Sequence, residues 1–157
     1  MKLLRGFTLI ELMATLSIMA VLAMVTVPLA QLATQRAKES ELRNALMQIR
    51  EAIDAYKRAS DLGHIAVEVG ASGYPPRLSD LVDGVVDQKS PNGRKLYFLR
   101  SLPLDPMADS AHERSSGGWG LRSYTSSAQD PKPGEDVYDV YTTSLGIGLN
   151  GVPYRQW

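Results

Sequence analysis

The chain contains no cysteine, so disulfides and thiolate metal sites are excluded, and a domain outside the cytoplasm would have to fold without covalent staples. It has no excess of either charge: lysine plus arginine and aspartate plus glutamate number 17 each, so the basic face that nucleic-acid binding demands is missing. Histidine is scarce. His64 and His112 both fall in predicted loops, neither lies near a nucleophile in a recognisable motif, and both are expected to be solvated. Ser144 and Ser17 are isolated, the latter placed to bond back to its own helix backbone. Gly146 and Gly148 form a lone Gly-x-Gly with no helix start after it, a turn pattern rather than a phosphate cradle. No catalytic constellation or nucleotide site therefore stands out, and at 157 residues the chain allows one small domain beside its long hydrophobic run.

That run lies at the start. Lys2 and Arg5 precede Phe7 to Gln31, in which Glu11 is the only charge; as a helix these roughly 25 residues span about 37 Å, enough for a bilayer core with some tilt. A carboxylate near the end of such a segment costs on the order of a few kcal/mol unless it reaches water or a partner, which makes Glu11 a candidate functional residue. A cleavable secretory signal would also begin with basic residues and an apolar core. The length of the run, the early glutamate and the helical pattern beyond Leu32 disfavour it. A plain anchor whose Glu11 snorkels to the headgroups stays open on position alone.

Pro28 removes one backbone hydrogen bond near the far end of this segment and is expected to kink or loosen the helix. Farther on, Leu42, Ala45, Leu46, Ile49, Ala52, Ile53 and Tyr56 keep the i, i+3, i+4, i+7 spacing of one buried stripe. One continuous helix from about Thr8 to Ser60 is expected, with two helices broken at Pro28 as the alternative. Pairs such as Glu39 with Arg43 read as solvated helix-face pairs, and Gly63 as the residue past the helix end. Loop structure follows, with a short helix from Arg77 to Val82, a turn at Ser90-Pro91-Asn92-Gly93 and an Asp105 poised to bond its own backbone. The polar stretch 107–118 reads as a surface loop. Trp119 to Thr125 and Asp136 to Thr142 have strand character, joined through residues 129–134 as a hairpin. Strict alternation in the second strand would set Val137 and Asp139 against Tyr138 and Val140. The fold class is α+β: a long N-terminal helix, half membrane-like and half amphipathic, packed on a small antiparallel sheet.

Gly6-Phe7-Thr8-Leu9-Ile10-Glu11, behind a short basic leader and before a long apolar tail, resembles the class III signal of type IV pilins and type II secretion pseudopilins. The landmarks Ala52-Ile53-Asp54-Ala55-Tyr56-Lys57, Gly73-Tyr74-Pro75, Leu102-Pro103-Leu104-Asp105-Pro106 and Val137-Tyr138-Asp139-Val140-Tyr141 look like those of the major pseudopilins, while 107–116 match poorly. The resemblance implies a type IV pilin-like fold with a leader at 1–6, a transmembrane and filament-core helix at 7–32, and a periplasmic domain at 33–157, divided into helix to about 60, loops at 61–118, and sheet with C-terminal loop at 119–157. It implies cleavage by prepilin peptidase between Gly6 and Phe7, N-methylation of Phe7, and pairing of Glu11 with the Phe7 amine of a neighbour; within one helix, Phe7 and Glu11 would share a face. Implied partners are the peptidase, further pseudopilin copies, minor pseudopilins, and an inner-membrane assembly platform with its ATPase. The implied location is the bacterial inner membrane, single-pass, with the C-terminal domain in the periplasm and then in the pseudopilus. A type IV pilin or minor pseudopilin is the first alternative, and a membrane-tethered binding module that never polymerises the second.

The resembled family often binds calcium in its last loop. Thr142 to Trp157 contains no acidic residue here, so no cofactor is expected and calcium is disfavoured. Trp157, Tyr154 and Val152 are expected to pack in its place. Asp130, Asp136 and Asp139 remain as carboxylates, expected to be solvated or turn-forming rather than metal donors.

Overall fold

The computed structural model describes residues 6–108 and 117–157. Lys2, Arg5, His112 and most of the 107–118 loop, about which expectations were stated, lie outside the described residues. The chain divides into two compact units, Met1–Ala37 and Lys38–Trp157.

A single helix, α1 (Leu9–Asp61), has Pro28 in its interior. The expectation of continuity holds, and the two-helix alternative does not. In the first unit the hydroxyls turn back onto the helix: Thr15 donates to the Leu12 carbonyl, Ser17 to Met13 at 2.8 Å, Thr26 to Leu22 at 2.8 Å, and Thr34 to Ala30. Leu9, Ile10, Met13, Ile18, Leu22 and Leu29 are all exposed within this unit. With these hydroxyls internally satisfied, the segment offers a largely apolar surface to whatever surrounds it.

In the second unit the predicted stripe is buried at every position from Leu42 to Tyr56. It packs with Ile65, Leu78, Leu81, Trp119, Val137, Val140 and Tyr154 into one core. α1 ends in a Schellman motif: His64 N–H donates to the Ala59 carbonyl and Gly63 N–H to Ser60, with Gly63 at φ 73°. A short helix, α2 (Ser79–Asp83), inserts Leu81 into the core.

The expected single sheet is two separate antiparallel pairs. β1 (Val85–Val86) pairs with β2 (Lys95–Leu96), and β3 (Trp119–Arg122) pairs with β4 (Asp139–Thr142). The sequence of 84–93 reads as irregular and that of Lys95 to Leu102 as only weakly alternating, because two-residue strands are too short to show a period; the Ser90–Gly93 turn between them is present, with Gly93 N–H donating to the Ser90 carbonyl. In the second pair Trp119 faces Thr142 and Gly120 faces Tyr141. A side chain at Gly120 would start 2.4 Å from the Tyr141 ring, so glycine is required for the ring to lie across the ladder.

Strict alternation fails before β4. Val137 and Val140, three residues apart, are both fully buried, because the regular register breaks before β4: Tyr138 N–H donates to the Arg122 carbonyl, which the ladder pairs with Asp139, and residues 136 and 137 take a different support. Val137 N–H donates to the Pro75 carbonyl at 2.8 Å. Asp136 accepts from the hydroxyls of Ser72 and Ser123 and from Tyr124 N–H at 2.9 Å, and so stitches the 70–76 loop to the end of β3. Tyr74, Tyr124 and Tyr138 cluster beside it with ring centroids 5.0–5.7 Å apart.

Burial alone would raise the Asp136 carboxyl, but the hydrogen bonds from Ser72, Ser123 and the Tyr124 amide outweigh it and hold the group below the ordinary carboxylate value. A folded value below the unfolded one stabilises the fold above the unfolded pKa, and that contribution is lost as pH falls through the folded pKa. Asp136→Asn is expected to lower stability at neutral pH by about 1–2 kcal/mol and to weaken the acid dependence of unfolding, measured by denaturant titration between neutral and acidic pH.

Candidate functional site

Gly6 to Thr8 precede the helix without regular structure. Among the described residues a Cβ at Gly6 would meet nothing within 4 Å, and Phe7 is 82% exposed, so none of them crowds the Gly6–Phe7 bond. Thr8 is the cap: its Oγ1 accepts from Glu11 N–H at 3.3 Å and its carbonyl from Leu12 N–H at 3.1 Å. Thr8-Leu9-Ile10-Glu11 therefore has the spacing of a capping box, a sequence signal overlooked above. The finding alters the relation of Phe7 to Glu11. Helical stacking at i, i+4 requires both residues in the helix, and Phe7 stands before the cap, outside the helical register. Its backbone nitrogen lies at the positive end of the helix dipole, and Glu11 occupies the first turn with an exposed side chain.

A second polar constellation surrounds the C-terminal segment. Glu39 is buried, 6% exposed, and its Oε1 accepts from Leu149 N–H at 2.8 Å and from the Tyr154 hydroxyl at 2.9 Å. This corrects the reading of Glu39 and Arg43 as a solvated pair. The segment after β4 folds over this part of α1 and removes Glu39 from water, while Arg43 stays exposed and lies over the Trp157 ring at 4.4 Å. Tyr154 is buried and packs edge-on against Trp157, as expected, whereas Val152 is exposed because its carbonyl rather than its side chain serves the turn.

Asp139, read as solvated or turn-forming, lies between two arginines. Arg50 Nε donates to Oδ1 at 2.8 Å and Arg122 Nη2 to Oδ2 at 3.0 Å, and Arg50 Nη2 also reaches the Val140 and Trp157 carbonyls. Strand β4 is thereby tied to α1 by charge-assisted bonds. Asp105 is buried, accepting from the Thr142 hydroxyl and, as its sequence context predicts, from Met107 N–H two residues on. His64 is not simply solvated: Nδ1 lies 2.9 Å from Asp87 Oδ1 and ties the end of α1 to the β1–β2 turn. That bond and the Lys89 N–H hold Asp87 below the ordinary carboxylate value. Asp130 pairs with Lys132 at the surface. No three metal-ligating acidic, histidine or cysteine side chains gather among the described residues.

The N-terminal element has known counterparts. Residues 1–27 match the prokaryotic N-terminal methylation motif. Over 136 residues the chain is 29% identical to type II secretion system core protein G of Klebsiella michiganensis, covering 84% of this chain and 88% of that relative. No solved structure matches significantly. A methylation motif thus opens a long apolar helix, and an α+β region follows it. Along most of its length the chain is similar to a core protein of a type II secretion system.

Replacing Thr8 by Val keeps the β-branched shape and removes the cap acceptor. The first turn is expected to fray by about 1 kcal/mol, seen as faster amide exchange at Glu11 in detergent micelles, with the second unit unchanged.

Proposed function

We propose that the chain is a major pseudopilin: a subunit cut after Gly6, methylated at Phe7, held in the inner membrane by residues 7–32, and then assembled helix to helix into a periplasmic pseudopilus. The observation that carries this reading is the coincidence of the methylation motif with the structural boundary at Thr8: the proposed scissile bond lies in open chain immediately before the cap. The coverage of the core protein G relative, 88% of its length, favours a major subunit over a minor one or a type IV pilin.

The mechanism follows from the cost of an unpaired charge. Cleavage creates an amine at Phe7, just outside the helix, and Glu11 sits one turn inside. In lipid the carboxylate has poor company. In a filament it reaches the Phe7 amine of a neighbouring copy, and the two charges cancel in an apolar bundle. Such a pair specifies register more than it stabilises, which suits assembly. Lys2 and Arg5 keep the leader on the cytoplasmic side, leaving 33–157 in the periplasm. Pro28 deprives the Met24 carbonyl of its helical donor and gives the helix a point at which to bend during packing. The role is structural rather than enzymatic, and energy comes from the ATPase of the assembly platform. Prepilin peptidase, other copies of the chain and minor pseudopilins complete the set of partners.

Mass spectrometry of the protein from a host with a prepilin peptidase is expected to find a methylated Phe7 at the N-terminus; an intact Met1 would sink the processing claim. Glu11→Ala is expected to leave membrane insertion and cleavage intact while reducing filament incorporation at least about tenfold, scored by shearing and immunoblotting. Normal incorporation would point instead to a tethered module or to a register set elsewhere.

A further inference from the structure

We propose that the loop after β4 is held closed by the Glu39 carboxylate in place of a divalent cation, so that this subunit folds without calcium. The comparison with a calcium-bearing loop rests on the pseudopilin reading; the clamp itself rests on the geometry of residues 142–157 and α1.

Calcium needs about six to eight oxygen ligands, carboxylates among them. Many of the oxygens of this loop are already engaged. Gly146 O accepts from Tyr154 N–H, Gly148 O from Gly151 N–H, Val152 O from Gly148 N–H and the Trp157 indole, Pro153 O from Gln156 N–H, and Tyr154 O from Trp157 N–H. Side-chain oxygens are used likewise: Asn150 Oδ1 accepts from Val152 N–H and Ser144 Oγ from Gly146 N–H, while Thr142 Oγ1 donates to Asp105 and accepts from Ser144 N–H. The loop supplies no acidic side chain. Asp105, at its root, is bound to Thr142 and Met107, and Asp139 is neutralised by Arg50 and Arg122.

At Glu39 the loop aims donors, not acceptors, at α1. Leu149 N–H and the Tyr154 hydroxyl meet one oxygen of a buried carboxylate. A cation at that point would face an N–H and an O–H, whereas an anion gains two charge-assisted bonds in a site shielded from water. Glu39 thus does from the helix what a metal would do from inside the loop: it gathers the loop around one strong charge. Arg43 over Trp157 and Arg50 on the Trp157 carbonyl hold the remainder of the segment to the same helix.

The test uses the full-length chain in detergent micelles, melted in millimolar calcium chloride and in EGTA, with hydrogen exchange followed at Leu149. The expected Tm is the same in both, with Leu149 protected in both. Glu39→Gln, which keeps the size and removes the charge, is expected to speed Leu149 exchange by about tenfold or more. Should that variant fail to fold, Tyr154→Phe removes one donor and is expected to speed the same exchange less. A Tm that rises in calcium or falls in EGTA overturns the proposal, as does wild-type exchange at Leu149 in the variants. None of these readouts needs cleavage or filament formation, so their failure leaves the pseudopilin reading standing, and an intact Met1 would remove that reading while leaving the clamp.

Discussion

An α-helix satisfies its own backbone hydrogen bonds, and α1 relies on that in two different surroundings. In the first unit the helical backbone and the returned hydroxyls of Thr15, Ser17, Thr26 and Thr34 leave an apolar surface with the Glu11 carboxylate near its start, a condition that lipid or other helices can meet if that charge finds a partner. In the second unit the same helical geometry aligns Leu42 through Tyr56 into a stripe that the rest of the domain must cover. One period of 3.6 residues therefore sets the requirements of both units, and only the polarity of the remaining faces differs.

Little regular structure covers that stripe. The strand pairs are two and four residues long, too short to order the domain by backbone pairing alone. Carboxylates take over much of that work. Asp136 joins the 70–76 loop to β3, Asp105 joins the proline-punctuated stretch to Thr142, Asp139 joins β4 to α1, and Glu39 joins the last loop to α1. Each collects several donors, which is what allows a charge to sit partly or wholly out of water. A chain without cysteine thus has non-covalent fastenings at the junctions between its loops.

Elements with many local repeats were legible in the sequence. The helix, its buried stripe, its glycine-marked end and the β3 and β4 positions follow from periodicity and composition over windows of several residues. The N-terminal motif was legible too, since residue types at fixed spacing carry it, although the capping role of Thr8 within it was passed over. The β1–β2 pair, the common burial of Val137 and Val140, and the pairings of His64 and Asp139 were not. The β1–β2 strands are too short to show a period, and for the ion pairs the partner is distant in sequence: His64 and Asp87 are separated by 23 residues, Arg50 and Asp139 by 89, and Glu39 and Tyr154 by 115.

The sequence by itself determined an apolar helix with one early carboxylate, a processing motif before it, and a continuing amphipathic face, because all three are local patterns read within a few turns of chain. Tertiary structure alone decided what becomes of the polar residues on that face. Glu39 has the same spacing to Arg43 whether both are in water or buried, and only the return of the C-terminal segment, with its N–H and hydroxyl donors, turns a surface charge into the point that holds the last loop in place.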